Sequence, residues 1–187
     1  MLSPRERNLL WGANLWYFGE GMLGPLFAVY AQKVGGNVLD ITTAWAIFLA
    51  VTGVCTIIVG RIADRYSKNY GREKILVLGY SLNALCTFCY LLVSTPQELF
   101  LVQVGLGIAA SLSIPTWLSL FASSTKEHKA SGWGLESGMS NFVHALAIVI
   151  GGYVVATYSF NALFAMMGVI QVIATIYQAQ ILRLKGK

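Results

Sequence analysis

The sequence predicts an all-α membrane protein: a six-transmembrane-helix bundle with N- and C-termini cytoplasmic. Three observations carry this reading. Hydrophobic residues make up 56% of the 187-residue chain and charged residues only 11%, whereas a soluble domain carries about 25% charged residues. Six apolar runs, each long enough for the roughly 20-residue helix that crosses a bilayer, are separated by short polar segments. Basic residues gather in alternate connecting segments, as they do when one side of a membrane is cytoplasmic. Barrel strands would be segments of about 10 residues in strict alternation; these runs are longer and unbroken.

The first span, 9–31, follows a short basic start, MLSPRERNLL. Its apolar run exceeds the 7–15-residue core of a signal peptide, so it is expected to stay in the chain as an uncleaved span. Asn14, Tyr17, Glu20, Gly21, Gly24 and Ala28 share one small or polar side of the helix. Glu20 falls near the midplane, where a carboxylate costs about 2.5–3.5 kcal/mol on insertion scales and faces a cavity or a partner. Gly24-Pro25 predicts a kink, since proline lacks the N–H that would continue the helix. Gly19, Gly21 and Gly24 match GxGxxG, but that fingerprint needs a strand before it and a helix start after it. In a membrane helix the same glycines allow close helix approach, and no nucleotide or other cofactor is expected.

The second span, 41–60, runs into the charge-rich stretch GRIADRYSKNYGREK, 60–74. The third, 75–93, carries Asn83 at mid-depth, read as an interhelical hydrogen-bonding residue. It also carries Cys86 and Cys89, a CxxC with no second pair to complete a metal site, and these are read as packed core residues. In the fourth, 99–121, Gln103, Gly105, Gly107 and Ser111 precede Pro115, a second expected kink. The fifth, 134–157, is the most amphipathic. Glu136, Ser137, Ser140, Asn141, His144, Ala147 and Gly151 form one polar or small stripe, and Phe142, Leu146, Val149 and Tyr153 lie opposite, toward lipid. The sixth, 160–182, carries Gln171, a second interhelical hydrogen-bonding residue. The connectors STPQE and YSF are short enough to demand tight antiparallel hairpins.

Placing the N-terminus inside puts Arg5, Arg7, Arg61, Arg65, Lys68, Arg72, Lys74, Lys126, Lys129, Arg183, Lys185 and Lys187 on the cytoplasmic side and only Lys33 outside. That topology accounts for the net charge of +5 with no nucleic-acid partner. His128, between two lysines, reads as a solvated loop residue. The chain reads as a single six-helix domain over 1–187 whose surroundings are the lipid bilayer.

Gly60-x-x-x-Asp64-Arg65 followed by Gly71-Arg72-Glu73-Lys74 resembles the signature between the second and third helices of major facilitator superfamily transporters, commonly G-x-x-x-D-R-x-G-R-R/K. SKNY stands as an insertion before Gly71, and Glu73 occupies a position where a second base is common. QVGLGIAAS, with Gln103, Gly105 and Gly107, is similar to the glycine-rich motif of the family's fourth helix. Leu101 stands where drug–proton antiporters carry arginine, and Gly151-Gly152 lacks their glycine-proline pattern. The resemblance implies one six-helix half of a twelve-helix transporter. In it the first and fourth helices line the pathway, and the second and fifth meet the opposing half. It also implies that Asp64 closes a cytoplasmic gate against the N-terminus of a helix in that half, whose partial positive charge favours a carboxylate. Arg65 and Arg72 would anchor the gate loop or only enforce topology.

The expected function is therefore secondary transport of a small solute by alternating access. It would be coupled to protons through Glu20 and His144, with Tyr17, Asn14, Asn141 and Glu136 as further candidates for coupling or substrate contact. Efflux of a lipophilic or sugar-like compound is suggested by Trp11, Trp16 and Tyr17. Parallel repeats let two identical halves pair about an axis along the membrane normal, so self-association as a homodimer and union with a second six-helix half are both open. A non-transporting sensor or assembly protein is the competing class. An intramembrane enzyme using Glu136 and His144 lacks a metal-ligand cluster or a nucleophile–base pair.

The orientation is testable with a membrane-impermeant maleimide. A cysteine at Gln97 should label in intact cells, and one at Lys74 only after lysis; the reverse pattern would invert the topology.

Overall fold

The computed structural model describes residues 2–65, 71–125 and 129–184. Lys68, Lys126, His128, Lys185 and Lys187 lie outside them. The described residues form seven α-helices and no strand: α1 (Pro4–Gly21), α2 (Leu26–Lys33), α3 (Val38–Arg65), α4 (Gly71–Cys89), α5 (Pro96–Ser124), α6 (Lys129–Thr157) and α7 (Phe160–Ala179). Single 3₁₀ turns extend α4 and α7. Five helices, α3 to α7, are long and apolar enough to cross a membrane.

The expected first span is not one helix but two. Pro25 has no N–H to continue α1, so the chain tightens between Glu20 and Phe27. The Leu23 N–H reaches the Glu20 carbonyl at 3.3 Å, and the Leu26 N–H reaches the Leu23 carbonyl at 2.7 Å. Pro115, by contrast, sits inside a continuous α5. The difference is local: Gly24 directly precedes the first proline and Gly21 lies one turn before it, whereas Ile114 and Thr116 flank the second.

Helix starts follow their capping chemistry. Ser3 with Glu6, and Thr95 with Glu98, form reciprocal capping boxes that open α1 and α5, each with proline in the first turn. Asn37 and Asp40 exchange the same pair of bonds at the start of α3, at 2.9 and 3.0 Å. Gly35, at φ +88°, ends α2 in a left-handed conformation that glycine adopts without strain. That lets the Gly36 N–H return to the Ala31 carbonyl at 2.9 Å, satisfying an otherwise orphaned acceptor.

The helices pack in the order α3, α5, α4, α7, α1, α6, so α3 and α6 end the arc. Their outer faces remain apolar and open: Val54 and Ile57 on α3 are 63% and 62% exposed, and Phe142 and Val149 on α6 are 81% and 69% exposed. The predicted lipid-side stripe of the fifth span thus faces outward, and its small residues Ala147 and Gly151 are buried.

Close approach on α1 is set by glycine. A methyl group on Gly12 would fall 1.9 Å from Gln178 Oε1, and one on Gly19 would fall 2.6 Å from Gln171 Nε2. Both pairs are seven residues apart and run in opposite directions, so two glutamines of α7 sit in two notches of α1. Gln171 Nε2 donates to the Trp16 carbonyl at 3.1 Å, as its mid-depth position predicts, and Gln178 Nε2 donates to Asn8 Oδ1 at 3.2 Å. Asn8 Nδ2 in turn donates to the Tyr177 carbonyl at 3.0 Å. On the other flank, a methyl on Gly151 would lie 2.1 Å from the Met22 carbonyl oxygen. No flexible side chain can yield there, because the obstacle is backbone.

Gly151→Ala should therefore destabilise the protein by about 1–3 kcal/mol, the usual cost of overpacking, while Gly152→Ala, facing open space, should be neutral. Thermal unfolding of the two variants in detergent is the check.

Candidate functional site

Two polar centres lie along α1. At the first, Asn83 Nδ2 of α4 donates to Glu20 Oε1 at 2.8 Å. The Asn83 side chain is 2% exposed, so this bond lies in a region where an unmet donor would be costly. Glu20 opens on a cavity whose walls include Phe27, Trp45, Phe48, Tyr90 and Gln103. Gln103 Nε2 donates to the Tyr90 hydroxyl at 2.8 Å, and the Tyr30 hydroxyl donates to the Tyr90 carbonyl at 2.9 Å. Gln103 thus shares a chamber with Glu20, a juxtaposition that brings two separately predicted residues together. Glu20's hydrogen-bond partner is an uncharged amide. A carboxyl held this way can be neutralised by a proton or by a bound cation.

At the second centre the Tyr17 and His144 rings lie 5.0 Å apart, centroid to centroid. His144 Nδ1 is 2.9 Å from the Ser140 carbonyl oxygen. A carbonyl only accepts, so Nδ1 is the donor of this bond. The Tyr17 hydroxyl interacts with the half-buried Glu136 carboxyl of α6. Carboxyl, phenol and imidazole therefore follow one another along the α1–α6 seam.

Asn14 and Asn141 join neither centre. Asn14 Nδ2 donates to the Leu10 carbonyl of its own helix at 2.7 Å, and Asn141, exposed, donates to the Ser137 carbonyl at 2.8 Å. Glu20 and His144, expected to act together, have different partners.

The charge-rich stretch also divides. Asp64 and Arg65 are exposed at the end of α3, near the half-buried Gly60. The segment 66–70 lies outside the described residues. Gly71 opens α4, Arg72 donates to the Ser119 hydroxyl of α5 at 2.7 Å, and the buried Glu73 pairs with Arg5 of α1. Glu73 therefore serves as an anchor for the N-terminal helix. Gly105 and Gly107 are packing positions, against Cys86 Sγ and against the Phe48 carbonyl of α3.

Sequence reasoning misses Tyr90 and Trp45. An aromatic residue near the end of an apolar span reads as an interfacial anchor, and no spacing signals that these two face Glu20.

A family model described as Major Facilitator Superfamily matches residues 9–185. The chain is 25% identical over 171 residues to "Multidrug resistance protein MdtG" of Enterobacter lignolyticus (strain SCF1), covering 89% of this chain and 40% of the relative. Its counterparts of the same name in Salmonella paratyphi B and Salmonella newport are each 24% identical over 168 residues, covering 87% of this chain and 41% of theirs. The chain thus spans about two fifths of the length of these curated relatives.

Removing one partner of a buried hydrogen bond costs more than removing both. Asn83→Leu should lower stability by about 1–3 kcal/mol, and Glu20→Leu combined with Asn83→Leu should recover part of that loss. Unfolding midpoints of the two singles and the double give the coupling.

Proposed function

The chain belongs to the major facilitator superfamily, a multi-pass family of the cell (inner or plasma) membrane, and on that premise we propose that it is half of a secondary transporter. It moves a small lipophilic solute by alternating access, in the direction of efflux, with proton coupling at Glu20. The observation that carries this reading is the Glu20 chamber: a carboxyl held by a neutral amide and facing aromatic walls. A charge that can be cancelled by a proton or exchanged for a solute is what coupled transport needs, because only a group that discriminates between two states can shift their balance. The Tyr17–Glu136–His144 seam supplies a second set of titratable groups along the same helix. The names of the relatives, multidrug resistance proteins, support a lipophilic substrate class.

The other half of the pathway meets this one at the two ends of the arc, α3 and α6, with the polar faces of α1 and α6 turned toward the shared axis. Two copies related by a twofold axis along the membrane normal satisfy that geometry; so does a second six-helix segment of a longer chain, as the length of the relatives suggests. In either assembly the exposed Asp64 closes the cytoplasmic end against a helix N-terminus of the other half. Six crossings with both termini cytoplasmic follow if α1 and α2 together make the first.

Proteoliposomes given a pH gradient and the lipophilic dye Hoechst 33342 test the coupling. Glu20→Gln should lower gradient-driven flux at least about tenfold, equivalent to about 1.4 kcal/mol, and leave dye binding in place. Unchanged flux would remove Glu20 from the mechanism.

A further inference from the structure

The α4–α7 pair carries a groove that neither polar centre uses. Ser81, Ala84, Leu85 and Phe88 of α4 form one wall, and Val172, Thr175 and Ile176 of α7 form the other. Leu85 and Ile176 are each 63% exposed, so the groove opens away from the bundle. Its two hydroxyls bond to their own helices: Ser81 Oγ donates to the Val77 carbonyl at 2.9 Å, and Thr175 Oγ donates to the Gln171 carbonyl at 2.8 Å. An occupant at this depth therefore meets apolar contact only.

The two ends of the groove differ. At one end Phe88 lies on Gly168, where an added methyl would fall 2.4 Å from the ring, so the helices touch and the groove closes. At the other end Lys74 lies two turns before Ser81, on the stripe of α4 that also holds Leu78 and Leu85. Arg183 belongs to the 3₁₀ turn that extends α7 and touches α4. Lys74 and Arg183 are exposed, and among the described residues neither has a hydrogen-bond or ion-pair partner. The carboxylate next to Lys74, Glu73, is buried and taken by Arg5. At 1.5 Å per residue, Ser81 lies about 10 Å and Phe88 about 21 Å beyond Lys74. Those depths bracket the ~15 Å of hydrocarbon in one leaflet, half of a core of roughly 30 Å. Two positive charges at the mouth and an apolar trough of one leaflet's depth are complementary to one lipid class.

We infer that the α4–α7 groove is a binding site for an anionic phospholipid. One acyl chain lies along Ser81, Leu85 and Ile176, and the phosphate sits against Lys74 and Arg183. The site is separate from the transport reading, and its occupancy is measured without flux.

Native mass spectrometry of the purified chain in detergent, titrated with dioleoylphosphatidylglycerol and with dioleoylphosphatidylcholine, gives two affinities that differ only through the headgroup. The anionic lipid should bind about thirtyfold more tightly, about fivefold for each juxtamembrane base. Lys74→Gln and Arg183→Gln should each remove about fivefold of that preference, and together they should erase it with the zwitterionic lipid unchanged. Arg61→Gln, which removes an exposed base of α3 on the far side of α5, should leave the preference intact. Ser81→Phe, at an exposed position of the wall, should weaken both lipids by about fourfold per methylene turned out of the groove. Equal affinities for the two lipids, a loss in Arg61→Gln equal to that in Lys74→Gln, or unaltered binding in Ser81→Phe would each overturn the site. So would a disulfide-linked dimer of Leu85→Cys, made in a chain whose three native cysteines are alanine, because a second copy would then cover the groove.

Discussion

Everything chemically distinctive in this protein hangs on how closely α1 approaches α7 and α6. Two glutamines of α7 fit where Gly12 and Gly19 have no side chain, and their amides bond to the backbone or to Asn8 of α1. Inside a bilayer no water can relieve a misplaced amide, so such bonds hold both rotation and height. Small residues supply the close approach and polar side chains the specificity, as expected where lipid is as apolar as the helix surface. On the far side, Gly151 receives the Met22 carbonyl. Once α1 is fixed from both flanks, Tyr17 must face His144 and Glu20 must face Asn83.

That seating also explains why the chain holds two polar centres and not one. Glu20 and Tyr17 are three residues apart on α1, and each is directed to a different neighbour. Glu20 meets α4 and the aromatic chamber, whereas Tyr17 meets α6. Just beyond Glu20 the helix ends, Pro25 having removed the donor that would continue it. The break lies beside the chamber, and Phe27 of α2 forms part of its wall. Membrane proteins tolerate irregular backbone at depth only where protein or a cavity covers it, and here Gly24, at the break, belongs to the chamber's lining. Anchoring continues at the terminal end, where Glu73 pairs with Arg5 and Arg72 reaches Ser119. Two residues of the charge-rich stretch thereby tie three helices together, while Asp64 remains exposed.

The helical class, the outward face of α6 and the discontinuity at Pro25 were legible in the sequence because each depends on local pattern: run length, a 3.6-residue period, or a missing N–H. The hydrogen-bonding roles of Asn83 and Gln171 were legible from depth alone. The amide partners of Asn14 and Asn141 were not legible for the converse reason. A helical wheel ranks faces but cannot tell whether an amide will bond outward or turn back on its own helix, and both turned back. Gln178, Gly12 and Tyr90 escaped notice because their importance lies in a neighbour far along the chain.

The sequence by itself determined that this is a helical membrane protein of the major facilitator superfamily. Composition, periodicity and the Gly60–Lys74 motif are one-dimensional signals that survive without coordinates. Only the tertiary structure decided that Glu20 pairs with Asn83 and Tyr17 with Glu136 and His144, that Glu73 is an anchor, and that an aromatic cavity lies beside them. Those pairings join residues separated by tens to more than a hundred positions. What selects among them is the packing of glycine against glutamine and of glycine against backbone, which no single helix encodes.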